Sequence, residues 1–133
     1  STLDRSSAAS DVYKRQEKDR IYRILSKYGH RFPDKILGPE EKKEIEIKSN
    51  QFQKARYLSN NFACKEALSK VLGLGLAAGV SFKEIQILRD PKGKPYVNLS
   101  GNTKKISNKL DIQNIYVSIT DTSNLSTAFV IGE

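Results

Sequence analysis

Glu66 and Lys70 stand four residues apart in the stretch Phe62-Ala63-Cys64-Lys65-Glu66-Ala67-Leu68-Ser69-Lys70-Val71-Leu72-Gly73-Leu74-Gly75. At helical period they lie side by side, one turn apart. That spacing supports two readings. One is a surface salt bridge in the favoured Glu-before-Lys order, contributing a few tenths of a kcal/mol. The other is a carboxylate for a metal beside an ammonium for a phosphate; on spacing alone the salt bridge is favoured, and the choice needs the rest of the chain.

The element that must position the pair is an amphipathic helix. Ala63, Cys64, Ala67, Leu68, Val71 and Leu72 fall on one side; Lys65, Glu66, Ser69 and Lys70 fall on the other, which is expected to be a solvent-facing charged stripe. Gly73 and Gly75 supply the stop, and Lys70 sits where the helix dipole favours a cation.

The chain has 133 residues and 38% hydrophobic content, enough for one domain with one core. A net charge of +8 implies polyanionic company. No Trp is present, and the five Phe and six Tyr are not interleaved with Arg and Gly, which argues against nucleic acid as the partner. Cys64 is alone, lies on the apolar side and reads as a small buried hydrophobe. With one His and one Cys there is no ordinary zinc site, so any metal would take oxygen ligands, as Mg²⁺ does. No apolar run approaches membrane-spanning length and no signal-peptide core is visible, so a cytoplasmic protein without membrane contact is expected.

Ser1 to Gln16 is rich in short polar residues and reads as a flexible leader; the absence of Met even at position 1 suggests that this leader is not the native start. Residues 17–133 form the single domain. From Glu17, Ile21, Ile24, Leu25 and Tyr28 recur at helical steps, with Arg20, Arg23 and Lys27 on the opposite, basic face. A short helical turn over Asp34–Leu37, a charged helix from Glu40 to about Lys48 and another from about Asn50 to Ser59 follow, the last with Phe52, Ala55 and Leu58 inward and Tyr57 packed among them. The second half predicts a hairpin, with strands over Phe82–Leu88 and Tyr96–Leu99 around Asp90-Pro91-Lys92-Gly93-Lys94-Pro95. Next come a short helix over Lys104–Leu110 with Ile106 and Leu110 inward, and strands over Ile115–Thr120 and Ser126–Gly132. The expected fold class is α+β, a helical first half packed on an antiparallel sheet.

These landmarks resemble a known family. Phe62-Ala63-x-Lys65-Glu66-Ala67-x-x-Lys70-x-x-Gly73-x-Gly75 looks like the central signature of the holo-acyl-carrier-protein synthases, which are 4′-phosphopantetheinyl transferases. Gly93-Lys94-Pro95 after Glu84-Ile85-Gln86-Ile87 is similar to the next landmark, and Val117-Ser118-Ile119-Thr120-Asp121 with Ala128-x-Val130-Ile131 to the closing strands. Glu17-x-x-Arg20-Ile21, Arg31-Phe32 and Lys35-Ile36-Leu37 resemble the front. The resemblance implies a 4′-phosphopantetheinyl transferase-like fold and a Mg²⁺-dependent transfer of phosphopantetheine from coenzyme A to a serine of an acyl carrier protein. By similarity Glu66 would ligate Mg²⁺ and Lys70 would neutralise the pyrophosphate, both as catalytic residues. Lys70, Gly73, Gly75, Lys94, Pro95 and Asp121 would hold coenzyme A, while Arg20, Arg23 and Lys27 would meet the acidic carrier. The family's trimers, with active sites at subunit interfaces, imply the same assembly here.

Three positions depart from the family. Its first strand carries an Asp, the second metal ligand, where Lys14 stands here, so impaired metal binding and transfer are expected; Asp11 is the nearest upstream carboxylate, three residues early. Asn61 occupies a place where an Arg is usual, which weakens a phosphate contact, and Asp121 stands where many members carry His. The competing reading is a non-catalytic basic module that binds an acidic carrier protein.

Overall fold

The computed structural model describes residues 15–17, 31–73, 79–121 and 125–133. Strand β1 is Arg15–Glu17, and helices α1, α2 and α3 are Arg31–Ile36, Pro39–Glu46 and Gln51–Val71. A 3₁₀ turn at Phe82–Glu84 leads into β2 (Ile85–Arg89) and β3 (Pro95–Leu99); α4 (Gly101–Lys109), β4 (Ile115–Asp121) and β5 (Leu125–Gly132) complete the order. The α+β class is as expected. The leader expected up to residue 14, the basic helix expected to carry Arg20, Arg23 and Lys27, and residues 74–78 and 122–124 lie outside the described residues.

Helix α3 organises the molecule. Its 21 residues span about 30 Å at 1.5 Å per residue. The two helical segments expected before and after Ser59 are thus one rod, begun by Asn50, whose Oδ1 accepts from the Gln53 amide at 2.8 Å. The rod packs against β5, β1, β2 and β4. Ala63, Cys64, Ala67, Leu68, Val71 and Leu72 join Ile85, Ile87, Ala128 and Val130 in the main core. A second cluster gathers Ile36, Leu37, Ile45, Ala55, Tyr57 and Leu58 under α1 and α2. Each large apolar side chain buried in this way contributes roughly 1.5–3 kcal/mol. At the far end α3 lies so close to β5 that a Cβ on Gly132 would come within 2.7 Å of Val71 Cγ1. Phe52, expected inward, is 52% exposed because it sits in the first turn, ahead of the packed part of the helix.

Two antiparallel sheets carry the rest. One has the order β1-β5-β4 and the other is the β2-β3 hairpin. The boundary expected after Gln16 falls inside β1, whose Arg15, Gln16 and Glu17 pair with Thr127, Ser126 and Leu125. The first three residues of the expected Phe82–Leu88 strand form the 3₁₀ turn instead. Glu84 there accepts from the Asn102 and Thr103 amides, at 3.1 Å each, and from the Thr103 hydroxyl at 2.9 Å. It therefore serves as a cap borrowed from outside α4. Burial pushes its carboxyl upward, but the Thr103 and Asn102 bonds outweigh that and hold it below the ordinary value. Ile106 is buried as expected, whereas Leu110 is 43% exposed because α4 stops at Lys109 and Leu110 caps it.

Candidate active site

The last turns of α3 place four successive polar side chains in different surroundings. Glu66 is half-buried and Lys70 is exposed, but Lys65 and Ser69 are buried. The expected solvent stripe is therefore corrected for two of its four members. The reason is that α3 is covered on more than one side, by β5 and by α2 with β2, so its buried arc extends past the apolar stripe.

Lys65 is tolerated there because all three ammonium protons are used. Nζ donates to Glu41 Oε1 at 2.6 Å, to the Phe82 carbonyl at 2.7 Å and to the Ile36 carbonyl at 2.8 Å. Glu41 is equally saturated: Oε1 also accepts from the Gly38 amide at 3.0 Å, and Oε2 from Asn61 Nδ2 at 2.7 Å and the Ile87 amide at 3.2 Å. Both side chains are fully buried. Desolvation pulls the Lys65 ammonium below its usual range, and Glu41's charge and hydrogen bond oppose that. This network anchors the helix one residue before Glu66. The charged run of α2 gave no sign that Glu41 would be the residue turned inward.

Asn61 is wholly buried. Besides Glu41 it donates to the Ile87 carbonyl at 2.9 Å, and its Oδ1 accepts from Arg89 Nη2 at 2.8 Å. The Asn that departs from the family pattern is thus tied to a guanidinium entering from the end of β2. Cys64 is fully buried, and desolvation pushes its thiol up to about 12, in keeping with a structural hydrophobe.

At the helix end Leu72 is the C-cap and Gly73 follows with φ of +78°, its amide donating to the Lys70 carbonyl at 2.9 Å. A Cβ there would meet nothing within 4 Å, so this glycine answers to backbone conformation and leaves open space beside Lys70's turn. Gly75 lies outside the described residues. Lys94 is exposed at the hairpin tip and Pro95 opens β3. The turn is held by Asp90, whose Oδ1 accepts from the Lys92 and Lys94 amides at 2.9 and 2.8 Å. Asp121 closes β4 opposite Ser126 of β5, and Ser126 pairs on its other side with Gln16. The far ends of β1, β5 and β4 therefore line up at Asp121.

Among the described residues no three His, Cys, Asp or Glu side chains gather as a metal site. Mg²⁺ is commonly held through one or two carboxylates together with substrate phosphates and water, and a single half-buried carboxylate such as Glu66 fits that manner of binding.

Comparison with known proteins identifies the family of this fold. The family model described as the 4′-phosphopantetheinyl transferase superfamily matches residues 15–130. The holo-[acyl-carrier-protein] synthase of Aliivibrio fischeri is 41% identical over 117 residues, covering 88% of this chain and 90% of the relative. The acyl carrier protein synthase of Plasmodium yoelii, solved with ADP bound, superposes with a TM-score of 0.79 at 36% identity over 89% of each chain. The Helicobacter pylori holo-[acyl-carrier-protein] synthase in complex with coenzyme A gives 0.75 at 27% identity, covering 90% of this chain and 96% of that one. The chain belongs to the 4′-phosphopantetheinyl transferase superfamily.

Proposed function

We propose that this protein transfers the 4′-phosphopantetheine group of coenzyme A to a serine hydroxyl of an apo-acyl carrier protein, as the names of its relatives indicate for them. The carrying observation is that, of the four polar residues on the last turns of α3, the two left open to solvent are Glu66 and Lys70, one turn apart beside the Gly73 exit. In the reaction the carrier's serine oxygen bonds to the phosphorus that bears pantetheine. The bond from that phosphorus to the adenosine-side oxygen breaks, adenosine 3′,5′-bisphosphate leaves, and the serine proton passes to a base. Glu66 would hold Mg²⁺ and take that proton, and Lys70 would neutralise the pyrophosphate. When bound, the cation would withdraw charge from the phosphate oxygens.

Gly73 and Gly75 would let backbone approach coenzyme A, with Lys94, Pro95 and Asp121 contributing from a neighbouring subunit. Such a homotrimer has its site between chains, and the exposed hairpin tip and the exposed Tyr116 and Phe129 of β4 and β5 are consistent with it. The basic residues Arg20, Arg23 and Lys27 would receive the acidic carrier in the cytoplasm. No helix among the described residues is long and apolar enough to cross a membrane. In this reading Lys14, standing where the family has Asp, leaves the metal site with one carboxylate.

Mass spectrometry of an apo-carrier incubated with coenzyme A and Mg²⁺ tests the reading. A mass gain of one phosphopantetheine is expected, and Glu66→Gln is expected to slow it roughly 100-fold or more while carrier binding persists. Carrier binding with no mass gain under any condition would leave the protein a binding module and overturn the proposal.

A further inference from the structure

A cavity of about 470 Å³ opens between β3, α4 and the start of β4. Its floor is apolar: Ile112 is buried, and Val97, Leu99 and Ile115 are half-buried against the main core. Lys104 and Asn108 reach it from α4, one turn apart on the same side of that helix. Strands β3 and β4, which flank it, are the edge strands of two separate sheets. The Asp90 amide donates to the Lys94 carbonyl at 2.9 Å and the Ser100 amide to the Glu84 carbonyl at 3.0 Å. Bonding alternates along an antiparallel ladder, so Tyr96 and Asn98 turn their main-chain groups to β2, while Val97 and Leu99 turn theirs to the other edge, beside the cavity. Such an edge is a template for another chain.

Helix α4 adds a sign of charge. Lys104, Lys105 and Lys109 are exposed on it, and it carries no acid. Of the acids around it, Glu84 attracts Lys105 but is held by the Asn102 and Thr103 amides, and Asp111 accepts from Gln113 Nε2 at 3.2 Å. We propose that this surface docks an extended acidic segment of another protein. Its main chain runs along the edge of β3, an apolar side chain is seated on the cavity floor, and its carboxylates meet Lys104, Lys105 and Lys109. A peptide uses all three features together. The surface draws on none of the residues assigned above to coenzyme A or to the carrier. Tyr116, also in the cavity lining, belongs to the face read above as a subunit contact, so the test is placed on α4.

The probe is a fluorescein-labelled acidic octapeptide with one central leucine, titrated with the full chain and read by fluorescence anisotropy; its partner probe carries glycine in place of the leucine. The leucine peptide is expected to bind about tenfold or more tightly than the glycine peptide, and Asn108→Trp, which fills the cavity, to erase that margin. Lys104→Glu is expected to weaken binding about tenfold; it lies in the first turn of α4, where an acid suits the helix. Lys43→Glu makes the same change of charge on α2 and is expected to have little effect. Equal affinity for the two peptides would overturn the proposal, as would equal weakening by Lys43→Glu and Lys104→Glu, since either would mean diffuse attraction to a chain of net charge +8. No binding of either peptide, with Asn108→Trp lowering the sedimenting mass while circular dichroism shows it folded, would mean that a second copy fills the cavity, and would also overturn it. These titrations need no turnover, so a failed transfer assay would count against the function above without touching this surface.

Discussion

Lys65 and Glu66 are neighbours in the chain, yet the 100° step between successive helical residues turns one ammonium into the core and leaves the next carboxylate at the rim. One residue earlier, Cys64 is sealed in the core, and its raised pKa has a checkable consequence. The folded thiol stays protonated until about pH 12, whereas in the unfolded chain it ionises near its ordinary value of about 8.5. The stability this group contributes is therefore complete below about pH 8.5 and falls as the pH rises toward 12. At pH 8 the native protein is expected to resist an alkylating reagent that labels it fully in denaturant, read by mass spectrometry. Prompt labelling of the native chain would show that the site around Cys64 opens.

Helix α3 is the element on which both readings of the Glu66–Lys70 pair depend, and the Lys65–Glu41 pair holds it to α2. Removing one partner of a buried pair leaves the other charge uncompensated, so Glu41→Gln is expected to cost about 3–5 kcal/mol in urea unfolding. Lys65→Met should cost a similar amount. The double variant should cost less than the two together, because neither charge is then left alone, although the single amide oxygen of the glutamine cannot serve both the Gly38 amide on one side and Asn61 Nδ2 with the Ile87 amide on the other. Strict additivity would mean that the pair is not coupled. At the other end Gly73→Ala puts a side chain at a φ of +78°, in open space, and is expected to cost roughly 1–2 kcal/mol from conformation alone. A loss of transfer well beyond the loss of stability would show that backbone must approach the cofactor at that point.

At the scale of the molecule, the sheet β1-β5-β4 leaves apolar side chains uncovered on its outer face. Tyr116 is 56% and Phe129 38% exposed, and Tyr116 is paired with Ile131 across the strands. If these faces meet in a trimer, sedimentation should report a species about three times the 15.0 kDa chain, and Tyr116→Lys should shift it toward the monomer with loss of transfer. A strict monomer that is fully active would refute the shared site. The proposed shortage at the metal is tested by Lys14→Asp. That change should raise the apparent Mg²⁺ affinity and the transfer rate about tenfold or more, the scale on which one well-placed charged contact acts, and no change would mean that position 14 takes no part.

The fold class, the hairpin with its Asp90-to-Pro95 turn, the closing strands, the buried Cys64 and the family itself were legible from the sequence, because local periodicity, turn chemistry and ordered motifs are written in consecutive residues. The core side of α3 was legible for the same reason. What only the tertiary structure decided are contacts between residues distant in the chain. Gln86 Oε1 accepts from the Glu40 and Glu41 amides at 2.8 and 3.2 Å and so caps α2 from a strand that follows much later. Glu41 and Lys65 neutralise each other across 24 residues, and Arg89 reaches back to Asn61 across 28. A charge can be buried only where a partner from elsewhere satisfies it, and the period of a single helix carries no information about that partner.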